Sequence, residues 1–113
     1  MTKDITVFLR HILDSIESIE MFVEGLSEDE FMKDMKSKYA VVRAIEIIGE
    51  AIKNMPASYR NENPDIPWKD IAGMRDKLMH HYFGIDYKKV WKVIEKDLPE
   101  LKRNIKKLLD NNA

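Results

Sequence analysis

Residues 3–24 read KDITVFLRHILDSIESIEMFVE, and their apolar positions keep helical time. Ile5, Leu9, Ile12, Ile16, Ile19 and Val23 recur at steps of four and three, the spacing that lines one face of an α-helix. Phe8, Leu13 and Phe22 widen that stripe, so this helix is expected to bury itself against more than one neighbour. Gly25 ends it, for a helix of about Lys3 to Glu24. A seam of this kind cannot be satisfied alone. It calls for partner helices, and the rest of the chain supplies them.

Ser27-Glu28-Asp29-Glu30 is a capping box, with Ser27 as N-cap and Glu30 reaching back to it, and Leu26 and Phe31 placed as a hydrophobic staple. The acidic first turn suits the helix dipole. A second helix is expected from there to about Met55, kinked near Ser37, with Val41, Ile45, Ile48, Ile52 and Met55 as its seam and Ala44 and Ala51 beside it. Gly49 lies inside that seam. An interior glycine costs about 1 kcal/mol relative to alanine, so its return should be close approach of another helix, within the chain or in a dimer. Pro56 to Pro67 holds three of the four prolines with Asn61 and Asn63, and is expected to be a loop. Pro67 opens the next helix, whose buried stripe is Trp68, Ile71, Met74 and Leu78; Gly73 is expected to allow close packing beside Arg75. Asp86 caps a helix from Tyr87 to about Asp97. Leu98-Pro99 is expected to break or kink it before a last helix to about Leu109, with Val90, Ile94, Leu98, Leu101, Ile105 and Leu108 as one stripe and a frayed tail of Asp110 to Ala113. No alternating strand pattern occurs. The expectation is a single all-α domain over residues 1–113, an antiparallel up-and-down bundle of four to five helices.

Composition bounds the function. The 113 residues include no cysteine, so neither a disulfide nor a thiolate is available. No apolar run approaches the ~18 residues of a membrane span, and the first residues lack a secretory pattern, so a cytoplasmic protein away from membranes is expected. The net charge of −1 is unevenly spread. Residues 1–74 carry nine Lys/Arg against fourteen Asp/Glu, a net −5, whereas residues 75–113 carry ten against six, a net +4. Basic residues in the second half, Lys102 to Lys107 included, either attract phosphates or form a solvated helix face.

The basic half also holds the chemistry. Met74 to Gly84 reads MRDKLMHHYFG, gathering a cation, an acid, two imidazoles and a phenol. As one helical run, Asp76 and His80 would share a face, and the carboxylate could fix the imidazole tautomer. Arg75 and His80, five apart, would diverge by roughly 140° on a straight helix. They could border one groove if the helix ends near His81, or meet across a two-fold axis. Gly84 is expected to stop the helix. His11 stands apart in the first helix and is read as a surface or partly buried residue. Adjacent histidines point apart on a helix, no His-Glu-x-x-His occurs, and no Gly-rich phosphate loop or Asp-x-Asp cluster is present, so neither a catalytic metal nor a cofactor is expected.

Arg75, four residues, His80, one residue and Tyr82 resemble the Arg-x4-His-x-Tyr motif of the HEPN superfamily, and specifically its HepT-like toxin branch. Ile48-Gly49-Glu50-Ala51, Ile66-Pro67-Trp68, Phe83-Gly84-Ile85-Asp86 and Asp97-Leu98-Pro99-Glu100-Leu101 are similar to that branch in the same order. Asp76 stands where many relatives carry asparagine; it fits a polar position but adds a charge that weakens phosphate binding. The resemblance implies a HEPN-like helical fold and a metal-independent endoribonuclease of a toxin–antitoxin system. It further implies a site at a homodimer cleft, with Arg75 and His80 catalytic, Asp76 and His81 supporting, and RNA as substrate. Its partner would be a separate MNT-type minimal nucleotidyltransferase, the antitoxin, which silences the toxin by AMPylation of Tyr82. The alternative is a non-catalytic helical module that binds and regulates such a nucleotidyltransferase.

Overall fold

A computed structural model describes residues 4–80 and 84–112, with Met79 and His80 described by their backbone alone. Its frame is α1 (Ile5–Val23) laid along α3 (Met35–Asn54), with α8 (Leu98–Asn111) against α1. The expected seams are the ones buried. Leu9, Ile12, Ile16 and Ile19 from α1, Val41, Ile45, Ile48 and Ile52 from α3, and Leu98, Leu101, Ile105 and Leu108 from α8 make one continuous core. Phe22 departs from expectation: it is exposed rather than widening the stripe. Lys102 on α8 reaches Glu20 on α1 at 2.8 Å, and this charged hydrogen bond raises the lysine pKa. His11 is exposed on α1.

The capping box forms as read. The Glu30 N–H donates to the Ser27 hydroxyl and the Ser27 N–H to the Glu30 carboxylate. The helix it starts, α2 (Glu28–Lys33), is nevertheless short. The expected kink near Ser37 is a full break at Asp34. Its backbone is extended, and its carboxylate accepts from the Ser37 N–H at 3.3 Å and the Ser37 hydroxyl at 2.8 Å. A second N-cap has outcompeted helix continuation.

The Pro56–Pro67 stretch is not all loop, since α4 (Ala57–Glu62) lies within it. After α5 (Trp68–Ala72) and α6 (Met74–Leu78) the chain forms a two-residue strand β1 (Met79–His80), paired antiparallel with β2 (Gly84–Ile85). α7 (Tyr87–Lys92) follows, capped by Asp86. Of the break or kink expected at Leu98-Pro99, the break is absent. A π-helical turn at Val93–Asp97 carries the chain from α7 into α8, with Pro99 in its first turn. Proline cannot supply the N–H that an α-turn needs there, and the wider turn lies directly before that defect. The tail is ordered through Asn112, whose amide donates to the Leu108 carbonyl and the Tyr59 hydroxyl. The chain is an all-α helical bundle, and among the described residues no helix is long and apolar enough to cross a membrane.

Candidate active site

The platform of the site is built by α3 and α5. Trp68 is buried, and its indole N–H donates to the Asn63 carbonyl at 3.0 Å. Ile71 is also buried, so both ends of α5 are fixed to the core. Gly49 then does what its place in the seam suggested. A Cβ there would sit 3.1 Å from the Ala72 carbonyl oxygen, so α3 and α5 approach within the chain more closely than a side chain at this position would meet without a shift of the neighbour. Gly73 plays a different part from the one expected. A Cβ there would meet nothing nearer than the Lys69 carbonyl at 3.4 Å. Its backbone ends α5 and lets α6 start afresh.

α6 is a short helix. Leu78 is buried and Met74 half-buried, while Arg75, Asp76 and Lys77 face out. The Arg75 side chain is 45% exposed, and its Nε lies 3.2 Å from Oε1 of Glu46 on α3. Asp76 is 81% exposed, with its Oδ1 at 3.9 Å from Arg75 Nη1. Glu46 is only 29% exposed, and Arg43 Nη1 approaches its second oxygen at 3.5 Å and Glu50 at 3.6 Å. Charges of alternating sign therefore run from α3 to the motif arginine. Between them lies a groove of about 160 Å³ lined by Glu46, Gly49, Glu50, Lys53, Arg75 and Asp76. On the other side of α6, Met74, Lys77 and Leu78 border a larger cleft of about 500 Å³, closed by α7, the π turn and α8.

The motif is not one helical run. α6 stops at Leu78, and His80 lies in β1, opposite Gly84. The expected sharing of a helix face by Asp76 and His80 is therefore wrong: an extended residue follows a different path from the helical residue four positions earlier. Gly84 is not a helix stop either. Its φ of +78° is a left-handed conformation that glycine adopts without strain, and it serves the return strand. The Asp86 N–H closes the pairing on the Leu78 carbonyl at 2.8 Å. Arg75 and His80 thus sit on a helix and on the strand that leaves it, so straight-helix spacing does not apply to the pair. His81 and Tyr82 lie outside the described residues, as does the side chain of His80.

Glu46 is the partner of the motif arginine that reading the sequence missed. It is 29 positions from Arg75, and no periodicity links the two. The available signal was Gly49, three residues on, which marked where another element would come close.

The family model for HepT-like ribonucleases matches residues 12–108. The chain is 47% identical over 102 residues to a "Putative RNase" of Caldanaerobacter subterraneus subsp. tengcongensis, covering 90% of this chain and 91% of that protein. It is 46% identical over 101 residues to a "Probable ribonuclease HepT" of Thermococcus cleftensis, covering 89% and 92%. In Methanocaldococcus jannaschii it matches a "Gamma-glutamylcyclotransferase and putative RNase" at 47% over 110 residues, covering 97% of this chain and 50% of that protein. No solved structure matches the chain. With a match from α1 through α8 and the Arg-x4-His-x-Tyr motif inside it, the chain belongs to the HepT-like ribonuclease family.

Proposed function

We propose that this protein is a metal-independent endoribonuclease whose site forms where two copies meet, with Arg75 and His80 as its working groups. The observation that carries this is Arg75: half exposed, on a helix fixed to the core, immediately before the strand that holds His80, in a chain of a ribonuclease family. Cleavage without a metal needs a base to take the ribose 2′-hydroxyl proton. The freed oxygen attacks phosphorus, charge grows on the phosphoryl oxygens, and the 5′-oxygen leaves with a proton. The products are a 2′,3′-cyclic phosphate and a 5′-hydroxyl. A guanidinium binds two phosphoryl oxygens at once, and an imidazole performs either proton transfer near neutral pH. Two transfers call for two imidazoles, and a second copy of the motif across a two-fold axis supplies the other. Asp76 and His81 support the pair.

Tyr82 is the control point in this reading. A separate nucleotidyltransferase of the antitoxin type joins AMP from ATP to the tyrosine oxygen and releases pyrophosphate. The added phosphate is anionic and enters the motif seven residues after Arg75, so that it would compete with RNA for the cation.

The test is cleavage of RNA by purified protein in EDTA. The parent should cut, and Arg75→Ala and His80→Ala should each lose roughly 100-fold or more while keeping the helical circular dichroism of the parent. A parent that cuts nothing, yet binds the nucleotidyltransferase, would instead make the chain a binding module. Intact mass after co-expression with that enzyme should rise by whole AMP units, and Tyr82→Phe should abolish the gain.

A further inference from the structure

We propose that Glu46 is a positioning residue for the proposed ribonuclease site: it aims the Arg75 guanidinium at the phosphate. This rests on the ribonuclease reading for its purpose and on the ion pair for its geometry. Arginine has two edges that can grip an anion, one formed by Nε with a terminal nitrogen and one by the two terminal nitrogens. The Glu46 carboxylate forms an ion pair with Arg75 on its Nε side, at 3.2 Å. At the terminal nitrogens, Asp76 approaches Nη1 only loosely, at 3.9 Å. An ion pair on the Nε side tethers the guanidinium beside α3, and the terminal nitrogens are the groups that would meet a phosphate.

Glu46 is itself held. It sits on α3 among the buried Ile45 and Ile48, half-buried, with Arg43 on its other oxygen. The Gly49 contact clamps α3 to the segment carrying α6, so the Glu46–Arg75 distance is set by backbone packing. A long side chain on a five-residue helix would otherwise sample many rotamers, and misplacing a catalytic group by about 1 Å can cost on the order of 100-fold.

The experiment is a double-mutant cycle read by RNA cleavage, joined to an NMR measurement that needs no activity. Glu46→Ala should lower kcat by roughly 10- to 100-fold with KM little changed, and Glu46→Asp, which keeps the carboxylate, should recover part of that loss. In the Arg75→Ala background Glu46→Ala should cost nothing further. The Arg75 Nε–H resonance, assigned by its loss in Arg75→Lys, should be protected from exchange in the parent and broadened in Glu46→Ala. Faster cleavage by Glu46→Ala would make the carboxylate a brake and overturn the proposal, as would an additive cycle or an unchanged Nε signal. Should the parent cut no RNA, the ribonuclease reading falls, and the Nε signal alone decides whether Glu46 holds Arg75.

Discussion

At Gly49 a single methyl group sets two terms against each other. Alanine is worth about 1 kcal/mol more than glycine in a helix interior. The added Cβ, however, would press to 3.1 Å on the Ala72 carbonyl oxygen, a backbone atom with no rotamer to change, and overpacking typically costs 1–3 kcal/mol. Gly49→Ala should therefore be net destabilising by about 1 kcal/mol, and urea melts measure it. It should also disturb the Glu46–Arg75 pair, because the clash pushes apart the segments that carry them. Gly73→Ala provides the contrast: with ordinary contact at 3.4 Å and a negative φ, it should leave stability nearly unchanged. If both variants melt alike, close approach is not why residue 49 is glycine. That a glycine in the α3 seam marks a close approach was legible in the sequence. Which element approaches was not, since Ala72 is 23 positions away and only the folded chain brings it near.

The helices show where periodicity informs and where it fails. The seams of α1, α3 and α8 were plain because each repeats over many turns. The break at Asp34 was half legible. Asp34 and Ser37 stand three apart, the spacing of an N-cap and its N–H donor, but they lie within an apolar pattern that favours continuing. The hairpin after α6 was not legible. Its two-residue strands are too short for alternation to register, and a tertiary closure, the Asp86 N–H on the Leu78 carbonyl, holds it together.

Both caps carry a pH signature. Hydrogen bonds from the Ser27 backbone lower the Glu30 pKa, and the Ser37 hydroxyl, with its backbone N–H, lowers that of Asp34. The folded state thus favours the charged form of each. Their contribution is present above the ordinary carboxylate range, about pH 4, and fades as pH falls through the lowered values. The thermal midpoint of the parent should drop more between pH 6 and pH 3 than that of a Glu30→Gln/Asp34→Asn variant, which has already lost the charged caps. Parallel curves would show that the caps do not titrate with folding. Ser27→Ala, at neutral pH, should cost about 1 kcal/mol.

For the molecule as a whole, the proposed site asks for two copies. The net charge of −5 over residues 1–74 against +4 over residues 75–113 places the motif in a basic half, which suits an RNA substrate. Yet the groove beside Arg75 is lined by Glu46, Glu50 and Asp76 against Lys53 and Arg75, a poor anion site by itself. A second copy that brings its own arginine and histidine would change that balance, and it would make the two chains depend on one another. Dependence of this kind has a quantitative consequence. If each cut draws on imidazoles from both chains, a dimer of one parent chain and one His80→Ala chain is inactive. Co-refolding equal amounts of the two assorts them at random, so activity per parent chain should fall to about half, and further excess of His80→Ala should silence the parent in proportion. A His11→Ala chain, which keeps Arg75 and His80 and loses only an exposed imidazole on α1, should not silence it this way. Activity per parent chain that stays constant across the titration would mean each protomer cuts alone, and the shared site would have to be abandoned.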